Sequence, residues 1–135
     1  MTFPMMPQAN VFPAGPVTQL SRLAVAESGS ATITMPAGVR RGDLAVLIDA
    51  PTGPSYSTTV YPAGFSGRLD ALDGSWNGKL LVSARIIQSA SEAGGVLTGA
   101  NGPDGNSKFL QVYRANVPIT GFSGLTTVRD RKSVV

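Results

Sequence analysis

Two pairs of aspartates stand where carboxylates could do acid–base work. Asp43 and Asp49 bracket the apolar run "DLAVLIDA", and Asp70 and Asp73 lie three apart in "RLDALDGSWNG". Glycoside hydrolysis needs two such groups about 5–9.5 Å apart across a cleft, one as acid and the other as base or nucleophile. Six residues of extended strand separate Asp43 from Asp49 by about 20 Å, too far to face one sugar. Asp70 and Asp73 fit a β-turn, with Asp73–Gly74 as its signal. The same stretch offers oxygens of Asp70, Asp73 and Asn77 to a hard cation such as Ca²⁺, but without EF-hand spacing. Serine chemistry has two near-matches to the nucleophile elbow: "GFSG" at 64–67 and 121–124 presents Ser66 and Ser123. The fifth position is Arg68 in one and Leu125 in the other, and the chain has no His to activate either serine.

Without His, the commonest general base, the usual metal ligand and the switch near neutral pH are all missing; without Cys, disulfides and thiolate metal sites are excluded. The expectation is a protein without enzymatic activity, cofactor or metal, the remote exception being a carboxylate-based glycan hydrolase. Net charge is +3, of which Arg129, Asp130, Arg131 and Lys132 together supply +2, so the basic balance belongs to the C-terminal segment. The remaining Lys and Arg are scattered singly, whereas a nucleic-acid binder shows a basic stripe with aromatics interleaved, so no nucleic-acid partner is expected. No window supplies the roughly 18 consecutive apolar residues of a membrane span, and no membrane association is expected.

The elements that must position any site have a period of two. "SATITM" alternates around Ile33, and "KLLVSARII" places Leu80, Val82, Ala84 and Ile86 on one face against Lys79, Ser83 and Arg85. "DLAVLIDA" is apolar through 44–48, as suits a central strand covered on both sides. "SKFLQVYR" sets Leu110 and Val112 against Phe109, Gln111 and Tyr113, so its second face meets something other than water. First and last strands fall at 19–28 and 124–129, with weaker ones near 57–61 and 95–99. Between them "PAGVRRGD", "YPAGFSG", "LDGSWNG" and "TGANGPDGNS" carry turn chemistry, and "SASEAGG" is a helical turn at most. Turns every 8–15 residues or so predict an all-β fold, a β-sandwich of jelly-roll or Ig-like type with about seven or eight strands.

Loop aromatics stack on sugars or anchor partners, being large and amphipathic. Trp76, between Ser75 and Asn77, and Tyr56 and Tyr61, flanking another turn, are candidates for such contacts; Phe109 and Tyr113 join them from the strand. In the structural alternative, these rings cap the open end of a sandwich.

Residues 1–16, "MTFPMMPQANVFPAGP", carry no charge and have prolines at 4, 7, 13 and 16. They lack the basic and continuous apolar regions of a signal peptide. Ordering sixteen residues costs on the order of 16–32 kcal/mol, so a fixed conformation requires burial of about 1,000 Å² of apolar surface. So short a peptide cannot make that surface for itself, and residues 1–17 read as an extended arm. Its anchors would be Phe3, Met5, Met6, Val11 and Phe12, followed by a body at 18–129 and a tail at 130–135.

The run "ITMPAGVRRGDLAVLIDA", then "YPAGFSG", "SEAGGVLTG" and "KFLQVYRANVPI", resembles in that order a group of small virion proteins encoded among the structural genes of tailed bacteriophages and prophages. The resemblance covers roughly residues 33–119. It implies a non-enzymatic virion structural protein whose partners are copies of itself and other capsid or tail proteins. A capsid decoration or cement protein fastened by the arm is the first expectation; an appendage module at a head or tail fibre, binding host-surface glycan, is the alternative.

Overall fold

The computed structural model describes residues 19–72 and 77–121, and within them the chain is all-β. In chain order the strands are β1 (Leu20–Ser28), β2 (Thr32–Thr34), β3 (Leu44–Asp49), β4 (Ser66–Leu72), β5 (Lys79–Ile86), β6 (Val96–Thr98) and β7 (Lys108–Ala115), with a 3₁₀ turn at Ala90–Glu92. They form two antiparallel sheets: five strands in the order β1-β7-β3-β5-β4, and the pair β2-β6. The arm, the expected strand at 124–129, the tail, Ser123, Asp73 and Trp76 lie outside the described residues.

β3 occupies the centre because its sequence permits burial on both sides: Leu44, Ala45, Leu47 and Asp49 are buried, and Val46 and Ile48 are half-buried. Alternation then sorts the neighbours. Ala45 and Leu47 pair with Val112 and Leu110 of β7, and those four side chains form one apolar face. The two-stranded sheet lies over that face through Ile33 and Leu97, with Met35, Val39, Phe65 and Ile87 completing the cluster. Complete burial of one such side chain contributes about 1.5–3 kcal/mol.

Three expectations need correction. Residues 57–61 form no strand; they are a loop that covers the outer edge of β4, where the Tyr61 hydroxyl donates to the Leu69 carbonyl at 3.3 Å and the Thr59 hydroxyl to the Asp70 carboxylate. β4 itself arises in a stretch that reads as turns, since Gly67, Asp70 and a bulge between Gly67 and Leu69 weaken the strand signal. Gly67 is required there, because a Cβ would come within 2.4 Å of the Tyr61 ring. Finally, β5 keeps its alternation and buries Ala84 and Ile86 on the expected side, but the opposite side is enclosed as well and the start of the expected face is not. Leu81, Ser83 and Lys79 are enclosed, while Leu80 is 40% exposed. Burial of Lys79 is offset by Asp70 at 2.7 Å, the Ser57 carbonyl at 2.9 Å and the Thr59 hydroxyl at 2.6 Å.

Candidate interaction surface

Of the carboxylates singled out by the sequence, Asp43, Asp49 and Asp70 are each held by a cation. Asp43 precedes β3 and receives a two-pronged contact from Arg114, Nε to Oδ1 at 2.9 Å and Nη2 to Oδ2 at 2.8 Å, plus the Arg40 amide at 2.8 Å. Burial opposes ionisation of Asp43, but the Arg114 fork and the Arg40 amide outweigh it and hold its pKa below the ordinary 3.8. Asp49, at the other end of β3, bonds Lys108 Nζ at 3.0 Å through Oδ1 and the Ala100 amide at 2.9 Å through Oδ2. Asp70 is bound to Lys79, and its pKa is lowered by that contact and by Thr59. No cluster of three acidic side chains forms among the described residues.

A carboxylate with a depressed folded pKa stabilises the fold above its unfolded pKa, and that stability is lost as pH falls through the folded value. For Asp43 the window therefore opens near pH 4 and extends downward. Melting temperatures from pH 6 to pH 2 should be flat at first and then fall. The Asp43→Asn variant should melt lower at pH 6 yet lose less on acidification, so parallel curves would contradict the assignment.

The aromatic candidates separate. Tyr56 is buried against Leu81 and Ala100, so it is a core residue rather than a surface contact. Tyr61 is half-buried, its ring over Gly67. Phe109 and Tyr113 lie on the second face of the five-stranded sheet, where the Tyr113 hydroxyl donates to Gln111.

That second face is an extended apolar surface among the described residues. Cross-strand partners share a face, so the registers define rows across it: Glu27, Phe109, Ile48, Val82 and Leu69 in one, then Val25, Gln111, Val46, Ala84 and Ser66. Leu44, Ile86 and Tyr113 follow, with Ile119 packed on them from the segment after β7. Beyond Ile119 the face is open among the described residues: Phe109, Ile48 and Val82 are half-buried, and Val25, Leu69 and Leu80 are 39%, 43% and 40% exposed. Four strand spacings of ~4.8 Å and two to three rows give it roughly 300–400 Å². The sequence carries part of this signal in the aromatic side of β7, while the contribution of Val25 and Leu69 depends on strand pairing.

A second feature adjoins it. β1 is a nine-residue strand paired with β7 on one side only, and its outer edge has no strand partner among the described residues. Such an edge presents unpaired amides and carbonyls that template another extended segment. Compared with protein-family models, curated proteins and solved structures, the chain matches none.

Proposed function

We propose that the protein is a non-enzymatic structural component of a bacteriophage virion, a capsid decoration or cement protein docked through its N-terminal arm. The observation that carries this reading is the succession of an uncharged, apolar, proline-rich segment and the edge strand β1, which begins at Leu20 and whose outer edge has no strand partner among the described residues. Main-chain pairing along such an edge gives affinity, and side-chain anchors such as Phe3, Met5, Met6, Val11 and Phe12 give specificity. The low charge content, 14% against an ordinary ~25%, suits a surface covered by neighbours. The virion assignment itself rests on the sequence resemblance across residues 33–119.

Deletion of residues 1–16 tests it. The copy number of the protein in purified particles, measured by quantitative mass spectrometry, should fall about tenfold or more, the scale on which a tethering contact contributes. The circular dichroism and melting of the isolated chain should stay close to those of the parent. Unchanged copy number would refute the fastening role.

A further inference from the structure

We propose that the outer edge of β1 pairs antiparallel with β1 of a second copy of this chain, about a two-fold axis at Val25. The inference rests on the same edge as the reading above and names its partner, leaving the arm to bind through its own anchors. Pairing with β7 fixes which way each β1 side chain points. Arg22, Val25 and Glu27 stand opposite Tyr113, Gln111 and Phe109, and so share the second face of the five-stranded sheet. Ser21, Ala24, Ala26 and Ser28 stand opposite Arg114, Val112, Leu110 and Lys108 on the other face. In a regular strand Arg22 and Glu27, an odd number of residues apart, would point to opposite faces. The bulge between Arg22 and Ala24 takes up Leu23 and brings both charges to one face, on either side of Val25. Both are exposed, and neither enters an ion pair among the described residues.

Charge complementarity selects the occupant and its alignment. Two copies joined edge to edge through antiparallel strands are related by a two-fold axis normal to the sheet, which keeps each face on its own side. Only residues of one face can then stand opposite each other. Alignments centred at Ala24, Val25 and Ala26 overlap most of the strand. An axis at Ala24 sets Arg22 against Val25, and one at Ala26 sets Glu27 against Val25; in neither do the charges meet. An axis at Val25 matches every position. Arg22 of each copy faces Glu27 of the other, Val25 faces Val25, Ala24 faces Ala26 and Ser21 faces Ser28. Opposite charges across a ladder stabilise the pairing, and small side chains on the inner side leave the strands room to approach. Charges on an edge strand ordinarily discourage pairing. Here the symmetry makes them partners.

Charge reversal in the full chain tests the alignment. Sedimentation of the parent protein should show a reversible dimer. Arg22→Glu and Glu27→Arg each convert both ion pairs into like-charge pairs, so each alone should weaken self-association by about tenfold or more. Both side chains are exposed, and the variants should melt near the parent. Mixing the two variants should restore association, because each copy then offers the other the opposite charge at both positions. A thiol reads the axis directly, since the chain has no cysteine of its own. Directly opposite Cα atoms lie about 4.5–5.5 Å apart, within disulfide reach, so Val25→Cys should cross-link two copies under mild oxidation. Leu69→Cys, equally exposed but on β4 at the far edge of the sheet, should do so about tenfold more slowly or less. A parent chain that stays monomeric, a mixture no more associated than either variant alone, or equal cross-linking at the two positions would overturn the proposal. So would a dimer that survives both reversals and is lost on deletion of residues 1–16, which would give the edge to the arm. None of these readouts depends on copy number in particles, so the fastening role fails or holds separately.

Discussion

Lys108→Met is expected to destabilise the domain by about 3–5 kcal/mol, the scale on which removal of one partner from a buried ion pair acts. The side chains of Lys108 and Asp49 are 0% and 2% exposed, and Nζ stands 3.0 Å from Oδ1. The Ala100 peptide closes the ring: its carbonyl accepts from Lys108 Nζ at 2.6 Å and its amide donates to Asp49 Oδ2 at 2.9 Å. With Lys108 gone, the carboxylate keeps only that amide. Relief by water is sterically blocked, since even a Cβ on Gly99 would lie 2.5 Å from Asp49 Oδ2 and 2.7 Å from Lys108 Cε. The variant must therefore open the loop before β7 or unfold. Urea midpoints measure the loss. Asp49→Leu combined with Lys108→Met should recover most of it, because a buried pair exchanged for apolar side chains is commonly neutral or stabilising. A single-variant loss below about 1 kcal/mol would show that this pair does not anchor the loop.

β7 alternates in the sequence and in the fold, and β3 is a continuous apolar run buried on both sides, which is why both strands are legible from the sequence pattern alone. Leu110 and Val112 are fully buried, and Phe109 and Tyr113 fall on the other face as their parity requires. The same parity puts Lys108 on the side of Leu110, so the buried lysine was implicit in "SKFLQVYR" once position was weighed above residue type. Its partner was not, because Asp49 reaches it through the β3–β7 register, and no local pattern encodes a pairing across 59 residues. β4 was hidden for a related reason. Glycine, arginine and aspartate in "SGRLDAL" read as punctuation, and the strand forms because β5 supplies hydrogen bonds on one side while the Tyr61 loop shields the other. Tyr56, placed on a loop by its glycine and proline neighbours, turned inward because Leu81 and Ala100 provide an apolar socket. Enclosure of the second side of β5 depended on Asp70, the carboxylate that makes Lys79 tolerable inside. Of the candidate surface, one strand's aromatic side was visible in advance; its extent depended on which strands became neighbours.

Leu110→Ala should be the most damaging substitution in the apolar core, at about 3–5 kcal/mol. Leu110 is fully buried and flanked by Leu47 on β3 and Ala26 on β1, under the cluster that contains Ile33 and Met35. Three walls of that site are strands of one sheet, fixed by their ladders, and the fourth is a sheet of only two short strands. The cavity can shrink only if β2 and β6 descend, and their three-residue ladder is tied to the body by the Met35 amide on the Gly95 carbonyl at 2.8 Å and the Gly99 amide on the Ala31 carbonyl at 2.9 Å. A domain of this size holds about 5–15 kcal/mol in all, so at the lower end of that range the variant should retain no more than about 2 kcal/mol, and it should melt lower by tens of degrees, at about 4–8 °C per kcal/mol. Leu110→Met should cost less than about 1.5 kcal/mol, because volume is nearly conserved and methionine adapts to the gap. Val96→Ala, at a side chain 68% exposed, should change stability by no more than about 0.5 kcal/mol. Equal losses in Leu110→Ala and Val96→Ala would mean that the two-stranded sheet does not seal this face, and the arrangement of two layers around Leu110 would fail with it.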